Sequence, residues 1–304
     1  MKRRDFIQKT AATTTALTLG GLSLSSFETN KVKKITILHT NDVHSHIDPF
    51  PATDPRNPNQ GGVARRAAII NKIRSEEENV LLLDAGDIFQ GTPYFNYYGG
   101  ELEFKLMSMM QYDLATIGNH DFDNGVEGLL AQMPHANFEF VSANYDFKNT
   151  VLDTFVKPYK IIKKGGLKIG VFGLGIELKG LVDAKLYKET KHKNPVEVAQ
   201  DMSRILKEEM KCDLVICLSH IGFEYKNNPE RDSDITLARK TKNIDLIIGG
   251  HTHTFLDKPV VEKNSEGIEV LINQVGCYGI NLGRIDFYLD SNKDIKSSGR
   301  KITI

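Results

Sequence analysis

Five stretches of this chain place ligand-type residues directly after an apolar run. They are Asn41-Asp42-Val43-His44, Asp84-Ala85-Gly86-Asp87, Gly118-Asn119-His120-Asp121, Ser219-His220 and Gly250-His251-Thr252-His253. Each alone is a weak signal. A loop aspartate more often caps a helix or closes an Asx turn, and Asn119 has the same option. His220 could equally be a satisfied core histidine, and His251 with His253 could be turn residues. Together they offer imidazoles, carboxylates and one amide, with no thiolate. That donor set suits Zn, Mn, Fe or Co as divalent ions and argues against Cu(I) or an iron–sulfur cluster. The donors are too many for one ion. They fit two ions sharing one carboxylate, an arrangement that activates a shared water and clamps phosphoryl oxygens.

Such residues act only if the fold gathers them. "KITILHT" (34–40), "VLLLDAGD" (80–87), "DLATIGNHD" (113–121), "DLVICLSHIG" (213–222) and "DLIIGGHTH" (245–253) read as strands running into polar turns. "FEFVSAN" (138–144), "KIGVFGL" (168–174), "VLINQVG" and "GRIDFYL" read as further strands. Between them, "GGVARRAAIINKIRSEEE" (61–78) carries Val63, Ala67, Ile70 and Ile73 on one helical stripe. "ELEFKLMSMMQY" (101–112) and "PVEVAQDMSRILKEEM" (195–210) also keep helical period, the latter with proline at its start. The alternation predicts a layered α/β domain. In such folds ligands collect beyond the carboxyl ends of parallel strands, which would bring all five turns into one cleft. Gly86, Gly118 and Gly250 allow backbone to approach that cluster. The proline- and asparagine-rich segment 48–62 reads as a long surface loop, and no second domain is evident.

The bulk properties narrow the class. The 304 residues carry 39 Lys+Arg and 39 Asp+Glu, a balance that gives no support for binding nucleic acid or a membrane surface. Cys212, Cys217 and Cys277 form no metal-binding spacing and read as free, buried thiols. On one strand, Cys212 and Cys217 would point to opposite faces. Residues 1–30 have the form of a signal peptide, with Arg3-Arg4 followed by Asp5-Phe6-Ile7 resembling a twin-arginine signal. Its uncharged stretch is too short to span a bilayer, which takes about 20 apolar residues. No cysteine follows that stretch, so no membrane anchor is expected. The protein is expected to be exported to the periplasm.

The motifs "NDVHSH", "LLLDAGDIFQGT", "IGNHDFDNG", "LSHIG" and "IGGHTH" together resemble the metallophosphatase domain of the bacterial 5′-nucleotidase and UDP-sugar hydrolase family, a branch of the calcineurin-like phosphoesterases. The likeness runs from about Lys33 to about Asp290. It implies a four-layer αββα sandwich over 31–304. It implies that Asp42, His44 and His253 hold one ion, that Asn119, His220 and His251 hold a second, and that Asp87 bridges them. His120 would stand beside the phosphate with Asp123 orienting it, while metal-bound hydroxide attacks phosphorus. His46 is a candidate neighbour of the ligands, His39 is expected to be structural, and His135 and His192 are expected at the surface. Longer members of the family carry a C-terminal domain that holds the nucleoside. The expectation here is that this domain is missing, with a separate nucleoside-binding polypeptide as a candidate partner. The implied substrate is a nucleotide or related phosphate ester. Cyclic phosphodiesters, UDP-sugar pyrophosphates and sulfur esters are alternatives on the same site, as is a metal-binding module without catalysis.

Overall fold

A computed structural model describes residues 32–290 and 294–304. The signal-peptide reading of 1–30 lies outside the described residues. From Lys33 to Ile304 the chain is one unit, built on two six-stranded sheets.

The first sheet contains β1 (Lys33–Thr40), β2 (Val80–Asp84), β3 (Leu114–Ala115), β4 (Glu139–Phe140), β13 (Asn281–Leu289) and β14 (Ile295–Thr303), in the order β14-β13-β1-β2-β3-β4. The second contains β6 (Tyr159–Lys164), β7 (Leu167–Gly175), β9 (Leu214–His220), β10 (Leu246–Gly249), β11 (Val260–Lys263) and β12 (Glu269–Asn273), in the order β11-β12-β10-β9-β7-β6. Strands β1 to β4 pair in parallel, as do β7, β9, β10 and β12. A short pair, β5 (Tyr145–Asp146) with β8 (Lys191–His192), stands apart.

The two-residue period of a strand sorts the apolar side chains into layers. On β1 and β2, Ile35, Ile37, Leu81 and Leu83 enter the layer between the sheets, while Leu38, Val80 and Leu82 face the helices outside. On β9 and β10, Leu214, Ile216, Leu246 and Ile248 enter the same inter-sheet layer, while Val215, Cys217 and Ile247 face outward. Helices Val63–Glu76, Glu101–Met109 and Gly125–Gln132 cover the first sheet, and Pro195–Arg204 and Asp234–Lys240 cover the second. The result is helix, sheet, sheet, helix.

Four details differ from the sequence reading. The 113–121 and 138–144 strands shrink to two residues each, β3 and β4. The 195–210 helix is α-helical to Arg204, with Asn194 capping the N–H groups of Val196 and Glu197, and finishes as a π-turn over Ile205–Glu209. Edge strands β6, β11 and β14 are not legible in the sequence, because their half-exposed segments lack apolar alternation. Cys212 and Cys217 do not take opposite faces. Cys212 precedes β9, and both thiols, free and buried like Cys277, pack in the outer layer of the second sheet.

The stripe of helix Val63–Glu76 also contains a charge. Arg66 is only 3% exposed and shares the buried face with Ile70 and Ile73. It lies close behind the turns that carry His44 and Tyr278, against Val43 and Gly279. No described helix is long and apolar enough to cross a membrane.

Candidate metal centre

The turn leaving β1 holds left-handed backbone at Asp42, His44 and Ser45, with φ of 50°, 50° and 54°. Non-glycine residues reach that region at a cost of about 1–3 kcal/mol each, so neighbours must hold them there. The turn after β2 does so. Asp42, His44 and Ser45 donate their backbone N–H groups to the carbonyls of Gly86, Asp87 and Ile88 at 2.9, 3.0 and 2.9 Å. Asp87, His251, His253 and Tyr278 are left-handed as well.

These turns bring Asp42, His44 and His253 together in one triad and Asp87, His220 and His251 in another. Within each triad, one potential ligand atom per residue lies within 4.8 Å of the others. Asp87 sits between the two: its Oδ2 is 3.0 Å from His220 Nε2 and 3.8 Å from His44 Nε2. Asn119 completes the second group, with its Oδ1 2.8 Å from His251 Nδ1.

The residues fit metal ions on the evidence of their own protons. His220 is fully buried, and its Nδ1–H donates to the Ala85 carbonyl at 2.7 Å. In neutral imidazole that bond turns the lone pair of Nε2 toward the Asp87 carboxylate, and Nε2 has no hydrogen-bond partner among the described residues. His44 repeats the pattern. Its Nδ1–H donates to the Phe89 carbonyl at 3.2 Å, and its Nε2 meets His253 Nε2 at 3.0 Å. With Nδ1–H committed to a carbonyl, a neutral His220 and a neutral His44 each turn a bare Nε2 toward the Asp87 carboxylate, the donor arrangement that holds a cation. The same field acts on the side chains' own protonation. Burial alone would lower the pKa of His220, but the Asp87 carboxylate and then Asp42 push it up to about 10. The Asp42 contact, followed by Cys277, pushes His253 to about 10. Burial and then the charge of His220 bring His251 down to about 4.

His120 lies outside both triads. Its Nδ1 meets Asp123 Oδ2 at 2.9 Å, and that bond, against the opposing effect of burial, raises its pKa. Its ring centroid is 5.2 Å from that of His44, and its side chain is partly open to solvent. A carboxylate behind an imidazole holds its orientation and favours its charged form.

Three supporting residues have no role in the sequence reading. Asn41 spans the Asp42 carboxylate and the Gly276 carbonyl with its amide and accepts the Val275 N–H. The buried Asp121 carboxylate accepts the N–H groups of Asp87, Ile88, Phe89 and Gly118. Tyr278 closes the His253 side, its ring 5.8 Å from that of His253, and its N–H donates to the Asp42 carbonyl at 2.7 Å. Asn41 and Asp121 carry a signal, their places in the "NDVH" and "GNHD" turns, but not the identity of their partners. Tyr278 carries none, because its contacts join distant parts of the chain.

Of the remaining histidines, His46 belongs to neither triad. It packs against Tyr278 and Phe50, with ring centroids 4.4 and 5.1 Å away. His39 is fully buried and accepts from Asn273 Nδ2 at 2.8 Å, which ties β1 to β12. His135 is partly exposed beside Glu101. His192 is less superficial than expected. It is half-buried in the β5–β8 pair and donates to the Gly175 carbonyl at 3.2 Å.

A Cβ on Gly118 would overlap the Asp87 carboxylate and backbone. Gly118→Ala should therefore displace Asp87 and lower turnover by about 10²-fold, the effect expected of a misplacement near 1 Å. Steady-state kinetics beside circular dichroism would separate this from unfolding.

The calcineurin-like phosphoesterase family model matches residues 35–255, a span that includes every residue of both triads. The chain belongs to the calcineurin-like phosphoesterase family. It is 36% identical over 293 residues to a snake venom 5′-nucleotidase of Crotalus adamanteus, an alignment covering 89% of this chain and 48% of that one. A 5′-nucleotidase precursor from Thermus thermophilus superposes with a TM-score of 0.81 at 31% identity, over 89% of this chain and 54% of that one. The Haemophilus influenzae NAD nucleotidase superposes with a TM-score of 0.78 at 29% identity, over 89% and 56%. This phosphoesterase chain thus spans about half the length of these relatives.

Proposed function

We propose that this chain is a dinuclear metal-dependent phosphohydrolase of the 5′-nucleotidase type, exported from the cell, that hydrolyses nucleotides or related phosphate esters. One observation carries the reading: Asp87, a member of one His/Asp triad, also reaches His44 of the other, while His120, backed by Asp123, stands outside both with its side chain partly open to solvent. A metal store needs the triads but has no use for an oriented imidazole beyond them.

Asp42, His44 and His253 would hold one ion, Asn119, His220 and His251 the other, and Asp87 would bridge. Bound there, a pair of divalent ions would polarise phosphoryl oxygens and lower the pKa of a shared water. The chain's own groups supply the rest. The left-handed turns fix the ligands before substrate arrives, so little reorganisation remains for the reaction. The His120 N–H, held in place by Asp123, offers a positive donor to the equatorial phosphoryl oxygens and to the leaving group as negative charge develops there. The donor set accepts Zn, Mn, Fe or Co alike.

The similarity to proteins named 5′-nucleotidase supports nucleoside monophosphates as first substrates. The likeness to a protein named NAD nucleotidase supports a second reading, a pyrophosphate-linked dinucleotide. The candidate nucleoside-binding partner remains part of the proposal. Assays on AMP, cyclic AMP, UDP-glucose and NAD with added Mn or Zn, with and without such a partner, test it. Turnover should vanish on chelation and return with metal. Stoichiometric binding of two ions with no turnover of any substrate would overturn the enzymatic reading.

A further inference from the structure

We infer that Gln274 is a positioning residue for both metal sites at once: its side-chain amide clamps the two ends of the turn that presents His251 to one ion and His253 to the other. This rests on the proposed dinuclear centre and adds to it the residue that fixes the spacing of the two histidines.

Gln274 follows β12 directly and is fully buried. Its Nε2 donates to the Gly250 carbonyl at 2.7 Å, and its Oε1 accepts the Thr254 N–H. Gly250 and Thr254 are the residues on either side of His251-Thr252-His253. The same Oε1 accepts the hydroxyl of Thr252, between the two histidines, at 3.2 Å. These partners fix which way the amide faces, because a carbonyl only accepts and an N–H only donates. One planar group thus holds a turn in which both histidines are left-handed, with φ of 71° and 52°. Such backbone is unfavourable for a residue with a Cβ and persists only where its surroundings hold it. The Asp42 carboxylate pins the middle of the turn through the His251 N–H. Gln274 pins both of its ends.

The backbone around Gln274 ties that turn to the other half of the centre. The Leu256 N–H donates to the Gln274 carbonyl at 3.1 Å, and the Gly276 N–H donates to the Thr254 carbonyl at 2.9 Å. On its other side the segment meets the turn leaving β1. The Asn41 amide bonds Val275 and Gly276, and the Tyr278 N–H donates to the Asp42 carbonyl. Asn273, one residue before Gln274, reaches His39 on β1. Residues 273–278 are therefore bonded to two turns, one from each sheet: the turn with Asp42 and His44, and the turn with His251 and His253. Within this segment the Gln274 side chain is directed at the histidine turn. A clamp on both ends of that turn acts on both histidines, so its loss should weaken one site through His251 and the other through His253.

The test titrates Co(II) into the metal-free chain. Visible absorption of the ion reports its ligand geometry, and elemental analysis reports its stoichiometry. Gln274→Met removes both polar arms at similar size. Gln274→Glu keeps the acceptor for Thr254 but sets a carboxylate oxygen against the Gly250 carbonyl. In each variant both dissociation constants should rise about 10–100-fold, the effect typical of losing a group that orients metal ligands. The Co(II) absorption should change at both equivalents. His253→Ala serves as the comparison, a defect confined to one ion. A residue that served the fold alone would lower the Tm of the metal-free chain and leave both constants unchanged, and that result would overturn the inference. Weakening of one ion only would overturn it too. Failure of both variants to fold, read by circular dichroism, would assign the amide to the fold and overturn it equally. An unmodified chain that binds fewer than two Co(II) ions would instead remove the dinuclear reading itself, whichever way the variants behave.

Discussion

His120→Ala should lower kcat on a nucleoside monophosphate by about 10²–10⁴-fold, the range for loss of a positioned proton donor or charge-stabilising group. The same variant should keep two bound metal ions per chain by elemental analysis. The reason is the division of labour within the residue. Its backbone N–H holds Asp87 Oδ1 at 2.8 Å, and alanine keeps that bond. Its ring pairs with Asp123 and belongs to neither triad. Loss of metal in His120→Ala would show that the ring helps to hold an ion and that its assignment is wrong. Asp123→Asn should give a smaller loss, because the ring stays in place and forfeits only the carboxylate behind it.

The second large effect is expected at Asp121. Replacing it by alanine should lower stability by at least about 3 kcal/mol, because four backbone N–H groups lose their acceptor in a buried setting. For a chain of this size that is a fall in Tm of roughly 5 °C or more. Metal affinity should fall with it, since the Asp87 turn is wrapped on this carboxylate. Asp121→Asn should recover little, because its NH₂ group would face N–H donors where the carboxylate accepted them. A Tm within a degree or two of the unmodified chain would show that solvent or a neighbouring oxygen satisfies those donors.

Both residues show how far the sequence can be read. His120 and Asp121 are adjacent in "GNHD", and their types look equally catalytic. The structure separates them: the His120 side chain is partly open to solvent, whereas Asp121 is buried and faces backbone. Similarly, Arg66 stands at helical spacing from Ile70, and nothing in the helical pattern shows the turns it underlies. Asn41 looks like one more loop amide, yet it bonds across to Gly276 and Val275.

What the sequence determined by itself is the local part. Continuous apolar runs mark the strands buried on both faces, so those strands and the polar turns at their ends are legible. Residue type at those ends set the donor chemistry. What only the tertiary structure decided is the grouping. His251 and His253 are two residues apart, and on an extended strand they would point to the same side. They instead enter different triads. The backbone is left-handed at both, with φ of 71° and 52°. The His251 N–H is drawn onto the Asp42 carboxylate from 209 residues away. A left-handed turn of this kind is unfavourable in isolation. It forms because the opposing loop accepts its hydrogen bonds, and spacing along the chain carries no record of that loop.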